Sequence, residues 1–444
     1  MAPYFPNEIW HRIMGYLVPP TRRESTFQDP RTLRPTALSS LCRVSQRFHQ
    51  IAQPLLYHTI NATTEYLETD IQWPGLLLRT IAKQPHLAKY IRVLVLSDML
   101  YASKLPSIGF PWDVPRSIQH ALQIELAEEG SGVVAIVLLL YATMVEKIIF
   151  FRSDVDGIHI PYILTGWRPQ GVQSLSRFYY PPDFGPDLAL ELGPFANYDL
   201  PCLKELHVTL GFDYCIPTFM DFVKKPGLSA FHLSYSHCGT YFVSQPLEDS
   251  LSSIRILKLE DCYVDSHSFE RLLQGCPKLG ILGIHVADTE EVRDGPWTID
   301  LEHIGQALRD RGINLTDLSL DFSNFKMKLK TTGRIGSLCS ISGLRHLQCD
   351  RNDLIVAQGW LVDEEQEHDI LPLESVLPPS ITTLRIFYEE HGVASLPGDT
   401  ISREMDSILS SGRLQSLRRI YHGSPDKPIL FRTKMPSSKV VVQS

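Results

Sequence analysis

The chain has 444 residues, of which 43% are hydrophobic and 21% are charged, and its formal net charge is -8. This composition excludes a disordered chain, and the mild acidity argues against a nucleic-acid partner because phosphate binding needs a concentrated excess of Lys and Arg. The eight cysteines form no CxxC pair and the N-terminus has no apolar signal region, which is typical of a reduced cytoplasmic or nuclear protein without a metal site or cofactor.

The first segment predicts an amphipathic helix. Ile9, Ile13 and Leu17 recur every fourth residue, so they share one helix face. Pro6 suits a first helical turn, where its missing N–H costs nothing. Residues 18–35 contain four prolines and four arginines, which predicts a loop.

Two further short helices are predicted before residue 60. One begins near Thr36, and Ser45 is expected to cap another, which stops before Pro54. A unit of this size buries little apolar surface alone. Its apolar face is therefore expected to dock, either onto later parts of the chain or onto another protein.

At these residues the sequence resembles an F-box, in particular those of filamentous fungi. The family pattern is Leu-Pro-x-Glu-Ile, Ile and Leu at helical spacing, Val-Ser-x-x-Phe/Trp and a closing Pro-Leu-Leu-Tyr. The matching residues are Phe5-Pro6-Asn7-Glu8-Ile9, Ile13, Leu17, Leu41, Val44-Ser45, Phe48 and Pro54-Leu55-Leu56-Tyr57. Two departures are Phe5 in place of leucine and the long loop 18–35.

The resemblance implies docking on a Skp-family adaptor and, through it, on a cullin. The residues it assigns to that contact are Pro6, Ile9, Ile13, Leu17, Leu41, Val44, Phe48 and Leu55. The alternative is a repeat scaffold without a ligase role, whose N-terminal helices only cap the array. That alternative requires Ile9, Ile13 and Leu17 to be covered by the chain's own first repeats.

Beyond the N-terminal helices, the pattern apolar-x-x-apolar-x-apolar returns along the chain. Its middle residues lie 25 to 37 residues apart, except for the 54 residues between Leu94 and Ile148. Such periods are close to a leucine-rich repeat. The copies are Ile91/Leu94/Leu96, Val145/Ile148/Phe150, Leu175/Phe178/Tyr180, Leu203/Leu206/Val208, Leu228/Phe231/Leu233, Ile254/Leu257/Leu259, Leu279/Leu282/Ile284, Leu315/Leu318/Leu320, Leu344/Leu347/Cys349 and Ile381/Leu384/Ile386, with a weaker one over 414–420.

One repeat shows the full cycle of strand and helix. After the strand around Leu257, Ser266 is expected to cap a helix that ends at Gly275-Cys276-Pro277. This cycle resembles the cysteine-containing leucine-rich repeats of F-box proteins. It predicts an α/β solenoid with parallel strands on a concave face and helices or irregular returns on the convex face.

The predicted organisation has four parts. Residues 1–60 form the F-box-like helices, 61–86 a helical linker, 87–422 the repeat solenoid and 423–444 a loose tail. An α/β domain with one parallel sheet is the alternative fold, since strand and helix alternate there too. The irregular repeat spacing leaves that alternative open.

Alternation along each strand predicts which side chains face outward on the concave surface. This face is expected to bind an unidentified target protein. The candidate residues are Glu205, His207, Lys258, Glu260, Asp317, Asp321, His346, Gln348, Arg385 and Phe387.

No catalytic residue is expected. Gly130-Ser131-Gly132 lacks the preceding strand of a dinucleotide site, and Ser323-Asn324-Phe325-Lys326 lacks the companion motifs of a serine hydrolase. The acidic run 363–369 has no glycine for a calcium loop. The apolar run 133–145 is too short to cross a membrane, which needs about 20 residues, and predicts a buried helix instead.

Overall fold

The computed structural model describes residues 6–17, 36–62, 73–97, 133–151, 167–168, 191–192, 200–209, 227–234, 251–286, 298–322, 330–355, 372–387, 406–424 and 427–431. The chain forms two compact units, one of Met1–Thr209 with Thr218–Leu228 and the other of Leu210–Pro217 with Ser229–Ser444. The boundaries expected at residues 60, 86 and 422 stay predictions. The motifs at Gly130, Ser323 and 363–369 lie outside the described residues.

Three helices open the first unit: α1 (Asn7–Gly15), α2 (Thr36–Leu41) and α3 (Gln46–Leu56). They share a core built from Met14, Leu38, Ile51, Ala52 and Leu55. The expected cap is confirmed, since the Ser45 hydroxyl accepts a hydrogen bond from the Phe48 N–H at 3.2 Å.

The expected end of the third helix is wrong. α3 continues through Pro54 to Leu56. Proline removes one backbone hydrogen bond, but the next turn is closed by the Tyr57 N–H, which donates to the Gln53 carbonyl at 3.2 Å. Leu55 is buried in the helical core, so its packing favours helix over the break that proline alone would produce.

The first unit also contains parallel strands, each paired with the next in the order β1, β2, β3, β6. β1 was not predicted, since the linker was expected to be helical from residue 61. The elements are β1 (Thr59–Ala62), α4 (Trp73–Lys83), a 3-10 turn (Pro85–Tyr90), β2 (Val93–Ser97), α5 (Val133–Tyr141), β3 (Lys147–Phe151), the antiparallel pair β4 (Trp167–Arg168) and β5 (Glu191–Leu192), and β6 (Glu205–Thr209).

The second unit carries a longer parallel ladder in the order β7, β8, β9, β11, β13, β14, β15. A last strand pairs antiparallel with β15, and β10 pairs with β12 apart from the ladder. The strands are β7 (Ala230–Ser234), β8 (Ile256–Glu260), β9 (Ile281–His285), β10 (Thr298–Asp300), β11 (Asp317–Asp321), β12 (Lys330–Thr332), β13 (His346–Asp350), β14 (Thr383–Phe387), β15 (Arg419–Ser424) and β16 (Lys427–Phe431).

The repeat prediction is confirmed wherever a copy falls within the described residues. Each such triplet is buried, as in Ile254, Leu257 and Leu259, which are at most 1% exposed. The carbonyl of the residue just before a strand also accepts two N–H groups at the start of the next repeat's strand. The Arg255 carbonyl, for example, accepts the N–H groups of Gly280 and Ile281 at 2.9 and 3.0 Å. The copy at Leu175 lies outside the described residues. The fold is therefore α/β with a long parallel ladder, consistent with a leucine-rich-repeat solenoid.

The second unit also contains the helices α6 (Ser266–Gly275), α7 (Leu301–Arg311), α8 (Arg351–Ile355) and α9 (Leu373–Val376). Of these helices, α6 packs against α7. The expected cap of α6 is wrong by one residue, because the Asp265 carboxylate, rather than Ser266, accepts the Ser268 N–H at 2.8 Å. Carboxylate capping also offsets the positive end of the helix dipole.

The end of the chain is more ordered than expected. Residues 427–431, assigned to a loose tail, form β16. Ile429 pairs with His422 of β15 in this antiparallel ribbon. Among the described helices, α5 included, none combines the length and apolarity needed to cross a membrane.

Candidate protein-interaction surfaces

Large apolar side chains lie exposed on the N-terminal helices. Ile9, Ile13 and Leu17 are 42%, 47% and 42% exposed, and they form what we call the α1 stripe. Ile9 and Ile13 lie on α1, whereas Leu17, expected on the same helix face, lies in the turn just after the helix. Tyr16 beside them is 81% exposed, and Val44 in the turn before α3 is 63% exposed. Because water contact with apolar surface is unfavourable, exposed apolar side chains on a helix face are typical of a docking surface.

The stripe lies on a helix that is held firmly in place. Met14, on the opposite face of α1, is 1% exposed within the helical core. The Trp10 ring packs edge-on against Phe48 of α3, with ring centroids 5.0 Å apart. The Arg47 Nε donates to the Asn7 side-chain oxygen at 2.8 Å. The stripe is thus presented by the shared core of α1 and α3.

The residues assigned to adaptor docking divide into three groups by their exposure to solvent. Pro6, Ile9, Ile13, Leu17 and Val44 are exposed, whereas Leu41 and Phe48 are half-buried against the helical core. Leu55 is 9% exposed. Its side chain packs against the helical core of its own module, so the docking role assigned to Leu55 stays a prediction.

Tyr16 was missed by the sequence analysis. It lies seven residues after Ile9, which places both on nearly the same side of a helix. The heptad spacing could have identified it, but the family pattern directed attention to Leu17.

The outward residues of the second unit's ladder form lateral rows across neighbouring strands. In the middle row, strand register places Lys258 beside Gly283, then Ser319, Gln348, Arg385 and Tyr421. Lys258 and Gln348 are half-buried and Arg385 is exposed. The row therefore has a cation near each end and small or neutral side chains between them.

Two of the expected outward residues are buried. Asp321 and Phe387 occupy the fifth position of their strands and are 5% and 3% exposed. Asp350, at the fifth position of β13, is 1% exposed. At β13, the Asp350 carboxylate accepts the Asn352 N–H at 2.7 Å in the first turn of the helix that directly follows the strand. Strand alternation alone does not predict such a contact.

A charged cluster lies at the carboxyl ends of β8, β9 and β11. His285 Nδ1 is 3.0 Å from Asp261 Oδ1, and its Nε2 is 3.6 Å from Asp321 Oδ2. The hydrogen bond to Asp261, with the charge of Asp321, raises the pKa of His285 despite its partial burial. Glu260 of the same row is exposed. This corner of the face is acidic, with one histidine inside it.

The other end of the face carries a cation and an aromatic ring. The Arg385 guanidinium carbon lies 4.9 Å from the centre of the Tyr421 ring. Such stacking orders a long side chain without removing its charge. In the row formed by the first residues of the strands, His346 Nε2 and Asp317 Oδ1 are 4.0 Å apart. The face thus presents separate cationic and acidic regions.

In the first unit, Glu205 and His207 form part of an ion-pair group on β6. Glu205 Oε1 lies 2.7 Å from His207 Nε2 and 3.1 Å from Lys147 Nζ of β3. The hydrogen bond from His207 and the charge of Lys147 hold the pKa of Glu205 well below its usual range. Both predicted residues are half-buried, so the Glu205 carboxylate is largely engaged within its own unit.

Comparisons with known proteins leave the family open. No protein-family model matches the chain, and no curated protein matches it. Among 42 matching chains of solved structures is an internalin from Listeria monocytogenes, which is 13% identical. That match covers 79% of this chain and 93% of the internalin, with a TM-score of 0.27. The fold assignment rests instead on the strand register and the buried triplets.

Proposed function

We propose that the chain is the substrate-recognition adaptor of a Skp–cullin–F-box ubiquitin ligase. The observation that carries this proposal is the α1 stripe, whose three apolar side chains are each more than 40% exposed. Ile9 and Ile13 lie on α1, whose opposite face is packed, and Leu17 lies in the turn that follows the helix. The F-box resemblance of the same residues indicates a Skp-family adaptor as the partner. The chain itself supplies no catalytic group in this proposal.

The mechanism depends on proximity. The N-terminal helices would anchor the chain to the adaptor and cullin, while the outward strand face would hold the target protein. Fixing the target near the ubiquitin-charged enzyme raises its effective concentration without new chemistry. The cationic and acidic regions of the strand face would select a target with complementary charge.

The capping alternative is not supported by burial. It requires the chain's own repeats to cover Ile9, Ile13 and Leu17, yet these side chains are exposed. The same helices are continuous with the ladder, since α3 leads into β1 and the His58 carbonyl accepts the Val93 N–H at 3.0 Å. The N-terminal helices are therefore continuous with the repeats and still leave the α1 stripe exposed.

Co-purification with a co-expressed Skp-family adaptor tests the proposal. Each buried anchor contributes about 1.5–3 kcal/mol, so Ile13→Asp with Leu17→Asp is expected to weaken docking at least ~100-fold. Matched controls are Leu76→Asp and Ile313→Asp, because these side chains are 55% and 60% exposed outside the stripe. The controls should bind as the unchanged chain does.

Two results would overturn the proposal. One is failure of the unchanged, folded chain to co-purify with the adaptor. The other is co-purification of the stripe double variant at unchanged yield. Affinity purification with mass spectrometry, made with the unchanged chain and with the stripe double variant, then identifies the target. The target is expected to bind both chains equally, because the substitutions lie outside the strand face.

A further inference from the structure

Two neighbouring helices of the second unit bring together three side chains of metal-ligand type. His267 and Glu270 lie three residues apart on α6, and His303 lies on α7. One ligand atom from each falls within 4.8 Å of the others. His303 Nε2 is 2.8 Å from Glu270 Oε2, and the His267 and His303 rings meet edge-on with centroids 4.8 Å apart.

The backbones that carry these side chains are tied together next to the cluster. Ser266 Oγ donates to the Asp300 carbonyl at 3.1 Å and accepts the Asp300 N–H at 2.8 Å. Ser266 directly precedes His267, and Asp300 lies three residues before His303. The starts of α6 and α7 are therefore held together before any ligand binds. A ligand shared between the two helices would lose less free energy in ordering its site.

The local charge also favours a cation. Asp265 and Asp300 cap the two helices, each accepting N–H groups of the first turn. These carboxylates offset the positive helix ends that would otherwise repel a cation. Glu270 adds a third negative charge directly at the cluster.

We infer that His267, Glu270 and His303 form a binding site for a divalent transition-metal ion of the zinc class. Two imidazole nitrogens and one carboxylate oxygen suit Zn²⁺ or Co²⁺, whereas Ca²⁺ and Mg²⁺ prefer oxygen ligands throughout. Three protein ligands leave a fourth position for water or for a side chain of another protein. The ion would link α6 to α7.

Little rearrangement is needed for this coordination. In a tetrahedral zinc site with bonds of about 2.0–2.1 Å, ligand atoms lie roughly 3.3 Å apart. Glu270 and His303 are already closer than this, and the exposed His267 has room to change rotamer. An ion pair between Glu270 and His303 with an edge-on ring contact to His267 accounts for the packing, and a shared ion would in addition use the exposed His267 imidazole as a third ligand.

Titration of the metal-free full chain with Co²⁺ tests the inference, which does not depend on the proposed ligase role. The chain has 16 histidines and 8 cysteines in all, so the informative quantity is a difference between variants. His267→Ala with His303→Ala is expected to remove one equivalent of bound Co²⁺. His346→Ala, which alters an exposed histidine elsewhere, should leave the stoichiometry unchanged.

The spectrum identifies the ligands. Coordination by nitrogen and oxygen gives visible d–d bands without the near-ultraviolet charge-transfer bands of thiolate, so binding at cysteines is distinguishable. Loss of the d–d bands in the double variant supports the site. Equal stoichiometry and affinity in the double variant and the unchanged chain would overturn it. If the double variant does not fold, His267→Ala makes the same test because its side chain is exposed.

Discussion

His285 and Asp261 join two neighbouring repeats of the second unit, with His285 Nδ1 lying 3.0 Å from Asp261 Oδ1. Asp261 directly follows β8 and has a φ of 52°. Aspartate tolerates this left-handed backbone better than most residues because its short polar side chain bonds locally. The turn therefore aims a carboxylate at the histidine of the next strand, and this contact leads to the first prediction.

The stability contribution of His285 should decrease as pH rises. Its pKa is raised in the folded state by Asp261 and Asp321, so the stabilisation is complete below the unfolded pKa of about 6.5 and is lost as pH passes the higher folded value. The free energy of unfolding of the unchanged chain minus that of His285→Gln should be larger near pH 6 than near pH 9. A difference that is constant, or that increases with pH, would contradict this origin.

A second prediction separates the backbone of Asp261 from its charge. Asp261→Asn retains a residue that tolerates the left-handed region, whereas Asp261→Ala adds a strain of about 1–2 kcal/mol. NMR titration of His285 should show its pKa falling in both variants. Only the alanine variant should also lose stability by that further amount. Equal stability of the two variants would mean that the turn relaxes without cost.

The buried ladder could be predicted from sequence because its signal is local. Leu257 and Leu259, and their counterparts in other repeats, are marked by alternation within a single strand. β1 escaped detection because Ile60 and Ala62 provide only a weak copy of the motif. The burial of Asp321 and Phe387 is a tertiary property that the strand pattern does not contain, since alternation assigns both residues to the outward face.

The candidate sites show the same limit. Helix periodicity predicts that Ile9 and Ile13 share one face, whereas the exposure of that face is known only from the fold. The contact between His267 and His303 results from the packing of α6 against α7. These two residues lie 36 positions apart in the sequence (267 to 303). The local pattern His267-x-x-Glu270 is visible in the sequence, but its third member is identified only by the fold.

Glu205 should stabilise the first unit at neutral pH, and this stabilisation should be lost in acid. Its pKa is lowered by the hydrogen bond from His207 and by Lys147, so its contribution is present above the ordinary value of about 4.3 and is lost as pH falls through the lower folded value. At neutral pH, Glu205→Gln is expected to cost about 1.5–3 kcal/mol, the range for hydrogen bonds to charged groups. Urea unfolding at pH 7 and under increasingly acidic conditions measures this. A cost that grows on acidification would contradict it.

Gly305 is expected to tolerate no side chain. A Cβ at this position would collide with the Ile335 carbonyl oxygen, a backbone atom that cannot rotate away. Gly305→Ala should therefore displace α7 and destabilise the second unit by about 1–3 kcal/mol or more. Gly283→Ala is the control, because its nearest contact would be an ordinary 3.6 Å to the Lys258 side chain. Thermal unfolding of both variants makes the comparison, and similar melting temperatures would show that α7 shifts freely.

The adjacent residues Ile13 and Met14 should separate docking from folding. Met14 is 1% exposed and Ile13 is 47% exposed on the same helix. Met14→Ala leaves a cavity that is expected to cost about 2–5 kcal/mol, whereas Ile13→Ala should change stability by less than about 0.5 kcal/mol. Hydrogen exchange of the α1 and α3 amides measures this local stability without requiring the whole chain to unfold as one unit. Faster exchange in Met14→Ala alone is the expected result. Equal acceleration in Ile13→Ala would mean that the stripe residue supports the fold, so that its exposure could no longer be attributed to partner binding.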